Sequence, residues 1–283
     1  KTSLDPELCR RIRASFLLAG PLLARFGRVV VPPPGGDVIG RRRLDTHIHA
    51  FAELGVAVEL NGGYELSVER LVGTRLFLDE ASVMGTENAV MAAVLAAGST
   101  VVGHAACEPH IQDLCRFLTS IGARIEGIGS NVLHIDGVER LSGGSYRLGP
   151  DHIEVASFAA IAALCGGAVT VGDVRPDDLI SIVPAFRKLG IAIEGGETSV
   201  RVDGGQDLHV VDDLGGQIPK IESGIWPAFP ADLTSIAVTA ATQATGTILI
   251  FEKMFESRLF FVDKLVSMGA RIILCDPHRA VVT

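Results

Sequence analysis

The chain has 283 residues, 48% of them apolar and 20% charged, with a net charge of −8. That is enough length and apolar surface for two globular domains, and too much for a disordered chain. An acidic balance with only 5% aromatics argues against a nucleic-acid partner.

The first 43 residues run against the overall charge, with nine Lys or Arg facing only Asp5, Glu7 and Asp37. A local basic patch on an acidic chain points to a small anionic ligand. No secretory leader is visible between Lys1 and Arg13, and the chain opens on Lys rather than Met. Residues 279–283 read as an apolar strand with nothing after it. Segments are therefore expected to be missing at both ends.

The next stretch, SFLLAGPLLARFGRVVV, reads as an apolar helix, a glycine stop at Gly27 and a strand. A loop rich in Pro and Gly follows, PPPGGDVIGRRRLDTHI, with Asp37 at its tip and Arg41, Arg42 and Arg43 just behind. Gly35 and Gly36 let backbone approach a ligand closely. The arginines, with Arg13, offer planar forks suited to phosphate and carboxylate. The blander alternative is a solvated surface turn. Neither a Gly-x-Gly-x-x-Gly fingerprint nor a Walker loop is present. His47, Ile48 and His49 alternate as a strand would, and the eight histidines show no metal spacing, so no metal site is expected.

Ser82 to Thr86 precede a helix start, where free N–H groups favour anions, although Thr86 could equally be a plain helix cap. Downstream, GVERLSGGSYRLGP reads as a loop, and a domain junction is placed after it, dividing the chain into 1–149 and 150–283. Asp232, in WPAFPADL, opens an apolar helix. It reads as an N-cap or as a carboxylate aimed into a cleft. Arg258 reads as an anion ligand or a surface ion pair.

A repeat organises all of this. An Ala-rich helix, a glycine and a β run recur at Gly27, Gly98, Gly166 and Gly246, spaced by 71, 68 and 80 residues. Between them an amphipathic helix ends in glycine before two short strands, at Gly55, Gly122, Gly190 and Gly269. Each unit reads helix, strand, helix, strand, strand. Three uncharged runs, Asn88–Cys107, Val155–Gly172 and Leu233–Phe251, approach membrane-spanning length. Their small residues and internal glycines fit a buried helix and strand better, so no membrane insertion is expected. Helices buried behind sheets predict an inside-out α/β arrangement, with an ordinary doubly wound sheet as the alternative. The five cysteines lack any Cys-x-x-Cys pair and are expected to be small buried hydrophobes in a reducing cytoplasm.

Taken in order, RASFLLAGPLLARFG, PGGDVIGRR, HIHAFAELG, SVMGTENAVMAA, EPHIQDLCRFLTSIGA, GVERLSGGSYRLGPDHIE, WPAFPADL and MFESRLFFVDKLVSMGA resemble the UDP-N-acetylglucosamine enolpyruvyl transferases. The resemblance implies that family's fold, a pair of inside-out α/β barrels, and a cytoplasmic enzyme that uses phosphoenolpyruvate and UDP-N-acetylglucosamine without a cofactor. It implies that Asp37 stands where the family's general acid stands, usually a Cys that fosfomycin alkylates. Asp232 matches the family's aspartate beside the sugar hydroxyl. Arg13 and Arg42 match arginines that bind the anionic substrates. Arg43, Leu44, Asp45, Thr46, Ser82, Val83, Met84 and Met254 match positions touching the UDP-sugar, and Arg258 a further cleft arginine. The family's N-terminal phosphoenolpyruvate lysine and C-terminal arginine have no counterpart among these 283 residues. A paralogue acting on a nucleotide or on shikimate phosphate, and a non-catalytic nucleotide-sugar sensor, remain the alternatives.

Overall fold

The computed structural model describes residues 2–37 and 39–283. The chain separates into two compact units, Lys1–Leu148 and Gly149–Thr283.

In the first unit, Asp5 caps α1 (Pro6–Cys9) by accepting from the Glu7 and Leu8 N–H groups. A 3₁₀ segment, Arg13–Leu18, runs into α2 (Ala19–Phe26). Then come β1 (Arg28–Val31), α3 (Asp45–Glu53), β2 (Ala57–Leu60) and β3 (Tyr64–Ser67). A short β4 (Arg75–Phe77) precedes the second repeat, which is α4 (Val83–Ala93), β5 (Ser99–Gly103), α5 (Pro109–Ser120), β6 (Arg124–Glu126) and β7 (Val132–Asp136). The second unit repeats the theme with α6 (His152–Cys165), β8 (Ala168–Gly172), α7 (Ile182–Arg187), β9 (Glu194–Gly195) and β10 (Ser199–Asp203). After β11 (Lys220–Glu222) it continues with α8 (Thr234–Ala241), β12 (Ile248–Phe251), α9 (Val262–Ser267), β13 (Ile272–Asp276) and β14 (Arg279–Val282).

Pairing is the same in every repeat. The last strand lies between the other two and runs antiparallel to both, giving sheets β1-β3-β2, β5-β7-β6, β8-β10-β9 and β12-β14-β13. Two of the sheets gain a parallel edge strand, β4 beside β5 and β11 beside β12. All eight glycines that punctuate the repeat have positive φ, from +66° at Gly27 to +127° at Gly246. A side chain there would be strained; Gly27 and Gly166 cap α2 and α6 directly, and the other glycines turn the chain shortly after their helices have ended.

The Ala-rich helices are the inner layer. Seven residues of α4 are buried, including Thr86 and Asn88, and α6 and α8 bury their alanines in the same way. Small side chains let a helix sit close behind a sheet on several sides at once. The sheets put alternate residues inward, as Leu133 and Ile135 do on β7. The two units have separate cores, one around Phe16, Phe51 and Leu66 and the other around Phe186, Leu233 and Ile250. Each such fully buried side chain contributes roughly 1.5–3 kcal/mol.

Three expectations are corrected. His47–His49 lies in α3, not in a strand. Three residues satisfy either period, and Thr46, His47, Ala50 and Phe51 together present a helical stripe to the core. Two cysteines, Cys165 and Cys275, are exposed. Cys165 is the last residue of α6, and Cys275 follows the exposed Ile273 and Leu274 on β13. Finally, α6 is not buried all round, since Phe158 and Ile161 are half exposed on one face. No helix among the described residues is long and apolar enough to cross a membrane.

Candidate active site

In the first unit the sequence folds the basic segment back on itself. Arg13 opens the 3₁₀ segment and points its guanidinium at the backbone, donating from Nη2 to the Arg42 carbonyl and, at 3.1 Å, to the Arg43 carbonyl. Arg42 sits at φ +43° and donates from Nη1 to the Asp37 carbonyl at 3.3 Å. The loop between them is pinned by the Gly35 N–H, which donates to the Cys9 carbonyl at 2.9 Å. A Cβ on Gly35 would lie 1.7 Å from the Arg10 carbonyl oxygen, and one on Gly36 3.3 Å from Arg42 Nη1. Glycine lets the loop lie against the Arg10 backbone at position 35 and against Arg13 and Arg42 at position 36. Asp37 is exposed at its tip. Arg13 is held below the usual arginine range by burial and by neighbouring Arg42, which marks a concentrated positive field.

Behind this loop, α3 and α4 begin side by side. A Cβ on Gly85 would meet the Thr46 methyl at 3.0 Å. Two helix N-termini and three arginines in one place favour an anion. Ser82 is the helix cap, accepting from the Gly85 N–H at 3.1 Å. Thr86 is therefore not the cap. It is buried one turn in, and its hydroxyl accepts from the Ala106 N–H at 2.9 Å. The Thr46 hydroxyl donates to Asp79 Oδ1 at 2.6 Å, and this bond is the main reason Asp79 stays below the usual carboxylate range. Arg43 pairs with Asp45. Leu44 is buried in the core, which leaves its backbone rather than its side chain for a ligand. Val83 and Met84 pack half-buried against the same core.

A buried network supports these residues. The Asn88 side-chain amide donates to the Phe16 carbonyl at 3.0 Å and to His47 Nδ1 at 2.9 Å, while its oxygen accepts from the Gly20 N–H at 2.9 Å. Gly20 and Phe16 fix which end of the amide is which. His47 therefore accepts at Nδ1 and carries its proton on Nε2. Burial, then the Arg13 charge, pushes His47 down to about 4. The neutral ring links α3, α4 and the Arg13 segment.

In the second unit, Asp232 lies in a 3₁₀ turn, Ala231–Leu233, just before α8. The capping alternative is not what the structure shows, because α8 has no side-chain cap bond. Asp232 accepts instead from Arg258 Nη2 at 2.7 Å. The Arg258 side chain is only 14% exposed and Asp232 is 68% exposed, so Arg258 is not a surface ion pair of two solvated chains. Its guanidinium lies 5.0 Å over the Phe255 ring, and among the described residues its Nε is sealed from solvent without a hydrogen-bond partner. Met254 is 40% exposed beside it. Buried His152, whose ring stacks edge-on to Trp226 at 5.6 Å, is pushed down by burial against the opposing charges of Asp151 and Asp232.

The sequence-predicted residues thus form two groups. Arg13, Asp37, Arg42 to Thr46 and Ser82 to Met84 gather on the first unit, and Asp232, Met254 and Arg258 on the second. Sequence reasoning missed Asn88, Asp79, Thr234 and Glu252. For Glu252 one signal was present, an acidic residue directly after the apolar run Ile248–Phe251. For Asn88 it was an amide just ahead of the apolar stretch Ala89–Ala93 of α4.

Comparison with known proteins adds the context. Residues 1–276 match the family described as EPSP synthase (3-phosphoshikimate 1-carboxyvinyltransferase). A UDP-N-acetylglucosamine 1-carboxyvinyltransferase of Treponema denticola is 56% identical over the whole chain, and the chain spans 67% of its length. The Treponema pallidum protein of the same name is 58% identical over 98% of the chain, which spans 65% of it. One from Bradyrhizobium diazoefficiens is 55% identical over 99%, again with 65% of its length spanned. Among solved structures, the enolpyruvyl transferase NikO from Streptomyces tendae superposes with a TM-score of 0.82 at 21% identity, covering all of this chain and 66% of its own. EPSP synthase from Acinetobacter baumannii gives 0.64 at 16% identity, over 95% of this chain and 63% of that one. These two carry the fold.

Proposed function

The chain belongs to the EPSP synthase family, has the inside-out α/β fold of the enolpyruvyl transferases, and groups with the UDP-N-acetylglucosamine 1-carboxyvinyltransferases; on that premise we propose that its protein transfers the enolpyruvyl group of phosphoenolpyruvate to the 3-hydroxyl of UDP-N-acetylglucosamine, releasing phosphate. The chain spans about two thirds of the length of the curated relatives it matches. The reaction is the first committed step of peptidoglycan synthesis, and we place it in the cytoplasm. The observation that carries the reading is the Asp37 loop folded against Arg13 and Arg42.

The chemistry follows from what these groups can do. Asp37 gives a proton to the terminal carbon of phosphoenolpyruvate, which makes C2 electrophilic. The sugar hydroxyl oxygen attacks C2, and Asp232 takes the hydroxyl proton. Loss of phosphate and of a proton from the new methyl group then regenerates the double bond. Arg13 and Arg42 balance the phosphate and carboxylate charge through both steps. Asp45, Thr46 and the start of α4 at Ser82–Met84 bind the nucleotide, with backbone N–H groups for its phosphates. Arg43, Leu44, Met254 and Arg258 complete the sugar contacts.

The test is phosphate release by the full-length protein from phosphoenolpyruvate with three acceptors: UDP-N-acetylglucosamine, a free nucleotide and shikimate 3-phosphate. Turnover with the nucleotide sugar alone is expected. Turnover only with another acceptor, or binding of the nucleotide sugar with no release, would replace this reading by a paralogue or a sensor.

A further inference from the structure

Asp232 and Arg258 are held by two separate turns, and a single buried side chain ties those turns together. Glu252 directly follows β12 and is fully buried. Its Oε2 accepts from the Thr234 hydroxyl at 2.6 Å. Its Oε1 accepts from the Met254 N–H at 2.8 Å and the Phe255 N–H at 3.2 Å. Thr234 is the first residue of α8, two residues after Asp232. Phe255 accepts from the Arg258 N–H at 3.3 Å and lies under its guanidinium. The backbone of Glu252 is fixed as well, donating to the His278 carbonyl at 2.7 Å and accepting from His278 Nδ1 at 2.7 Å.

A carboxyl group taken fully out of water is costly unless each oxygen finds a donor. Here both do, and the group accepts three hydrogen bonds while donating none. A core that needed only to be filled would be served by an apolar residue at lower cost. What the acid supplies is directional. One oxygen holds the turn that carries Asp232, and the other holds the turn that carries Arg258.

We propose that Glu252, through Thr234, is a positioning residue that sets the Asp232–Arg258 pair in its working geometry. This rests on the role proposed for Asp232. Small displacements of a reacting group are expensive in rate, about 10²-fold for 1 Å, so a tether two residues away acts on kcat while leaving substrate affinity nearly alone.

The experiment is a double-mutant cycle in the full-length protein. Thr234→Val removes the hydroxyl with little change in shape, and Thr234→Ser restores it. Thr234→Val is expected to lower kcat about tenfold, with KM for the nucleotide sugar within about twofold, and Thr234→Ser to recover most of the rate. In an Asp232→Asn background, Thr234→Val should cost almost nothing further, because the group it positions is already gone. Glu252→Gln keeps an oxygen for the two N–H groups and weakens the Thr234 bond, so it should reproduce the kcat loss and carries the test if Thr234→Val fails to fold. Wild-type kcat in Glu252→Gln, or a full additional loss from Thr234→Val in the Asp232→Asn background, overturns the proposal. A wild-type protein that releases no phosphate with any acceptor fails earlier, and counts against the proposed function instead.

Discussion

Arg258 Nη2 donates to Asp232 Oδ1 at 2.7 Å, so a largely buried cation holds an exposed carboxylate at the start of α8. The exposed partner closes no helix end, and on the proposed function it is the group that meets the substrate hydroxyl. Asp232→Ala should therefore lower kcat by about 10²–10⁴-fold. Removing the carboxylate also leaves the largely buried Arg258 guanidinium without its partner, so a loss of stability should accompany the loss of rate. A stability loss with kcat intact, read by calorimetry beside the assay, would leave Asp232 only as the partner that holds Arg258.

On the proposed function Asp37 presents a carboxyl group where the family resemblance implies that a thiol usually stands. A thiolate opens an epoxide readily and a carboxylate does so poorly. The full-length enzyme should turn over and resist fosfomycin. Asp37→Cys should keep activity and become sensitive, and Asp37→Asn should lose most activity, since an amide does not donate this proton. Mass spectrometry of the loop peptide after a fosfomycin time course decides it, because a covalent adduct on Asp37 itself would contradict the assignment.

Gly35 has no room for a methyl group, which would fall 1.7 Å from the Arg10 carbonyl oxygen. Backbone blocks it, so the loop itself must move in Gly35→Ala. The expected result is a loss of about 1–3 kcal/mol in stability, as for other overpacked sites, together with a rise in KM for phosphoenolpyruvate as Asp37 leaves the arginines. An unchanged KM in a folded variant would detach this loop from substrate binding.

Glu87, on α4 and largely buried, is pushed up to about 7 from an ordinary 4.5, first by burial and then by the Glu108 charge. The sign follows from linkage. A raised folded value contributes stability that is fully present below about 4.5 and is lost as pH rises through about 7. Glu87→Gln should thus be nearly neutral at pH 4 and stabilising at pH 8, by at most about 3 kcal/mol. Denaturant titrations of both proteins at the two pH values test this, and an equal difference at each would remove Glu87 as the source.

Much of the molecule is legible in the sequence. The eight repeat glycines marked the turns between helix and strand because only glycine takes positive φ without strain, and all eight do so. Alanine-rich helices announced an inner layer because small apolar side chains pack closely behind a sheet, although α6 leaves Phe158 and Ile161 half exposed. The Pro–Gly loop and its arginines were legible for a similar reason: turn formers and planar cations in one short stretch are local chemistry, and local chemistry is written consecutively. What sequence alone did not decide was the use of each polar group. Thr86 and Ser82 both suited a helix start, and only the chain's path put Ser82 on the Gly85 N–H and Thr86 against Ala106, 20 residues away. Asp232 suited a cap until folding brought Arg258 to it across 26 residues. Glu252, Asn88 and His47 carried almost no local signal, because their partners lie 18, 72 and 41 residues off in the chain. Backbone preferences are settled within a few residues and can be read from them. A hydrogen bond between distant side chains exists only once the core has closed and removed water as the competing partner, and that step belongs to the tertiary structure.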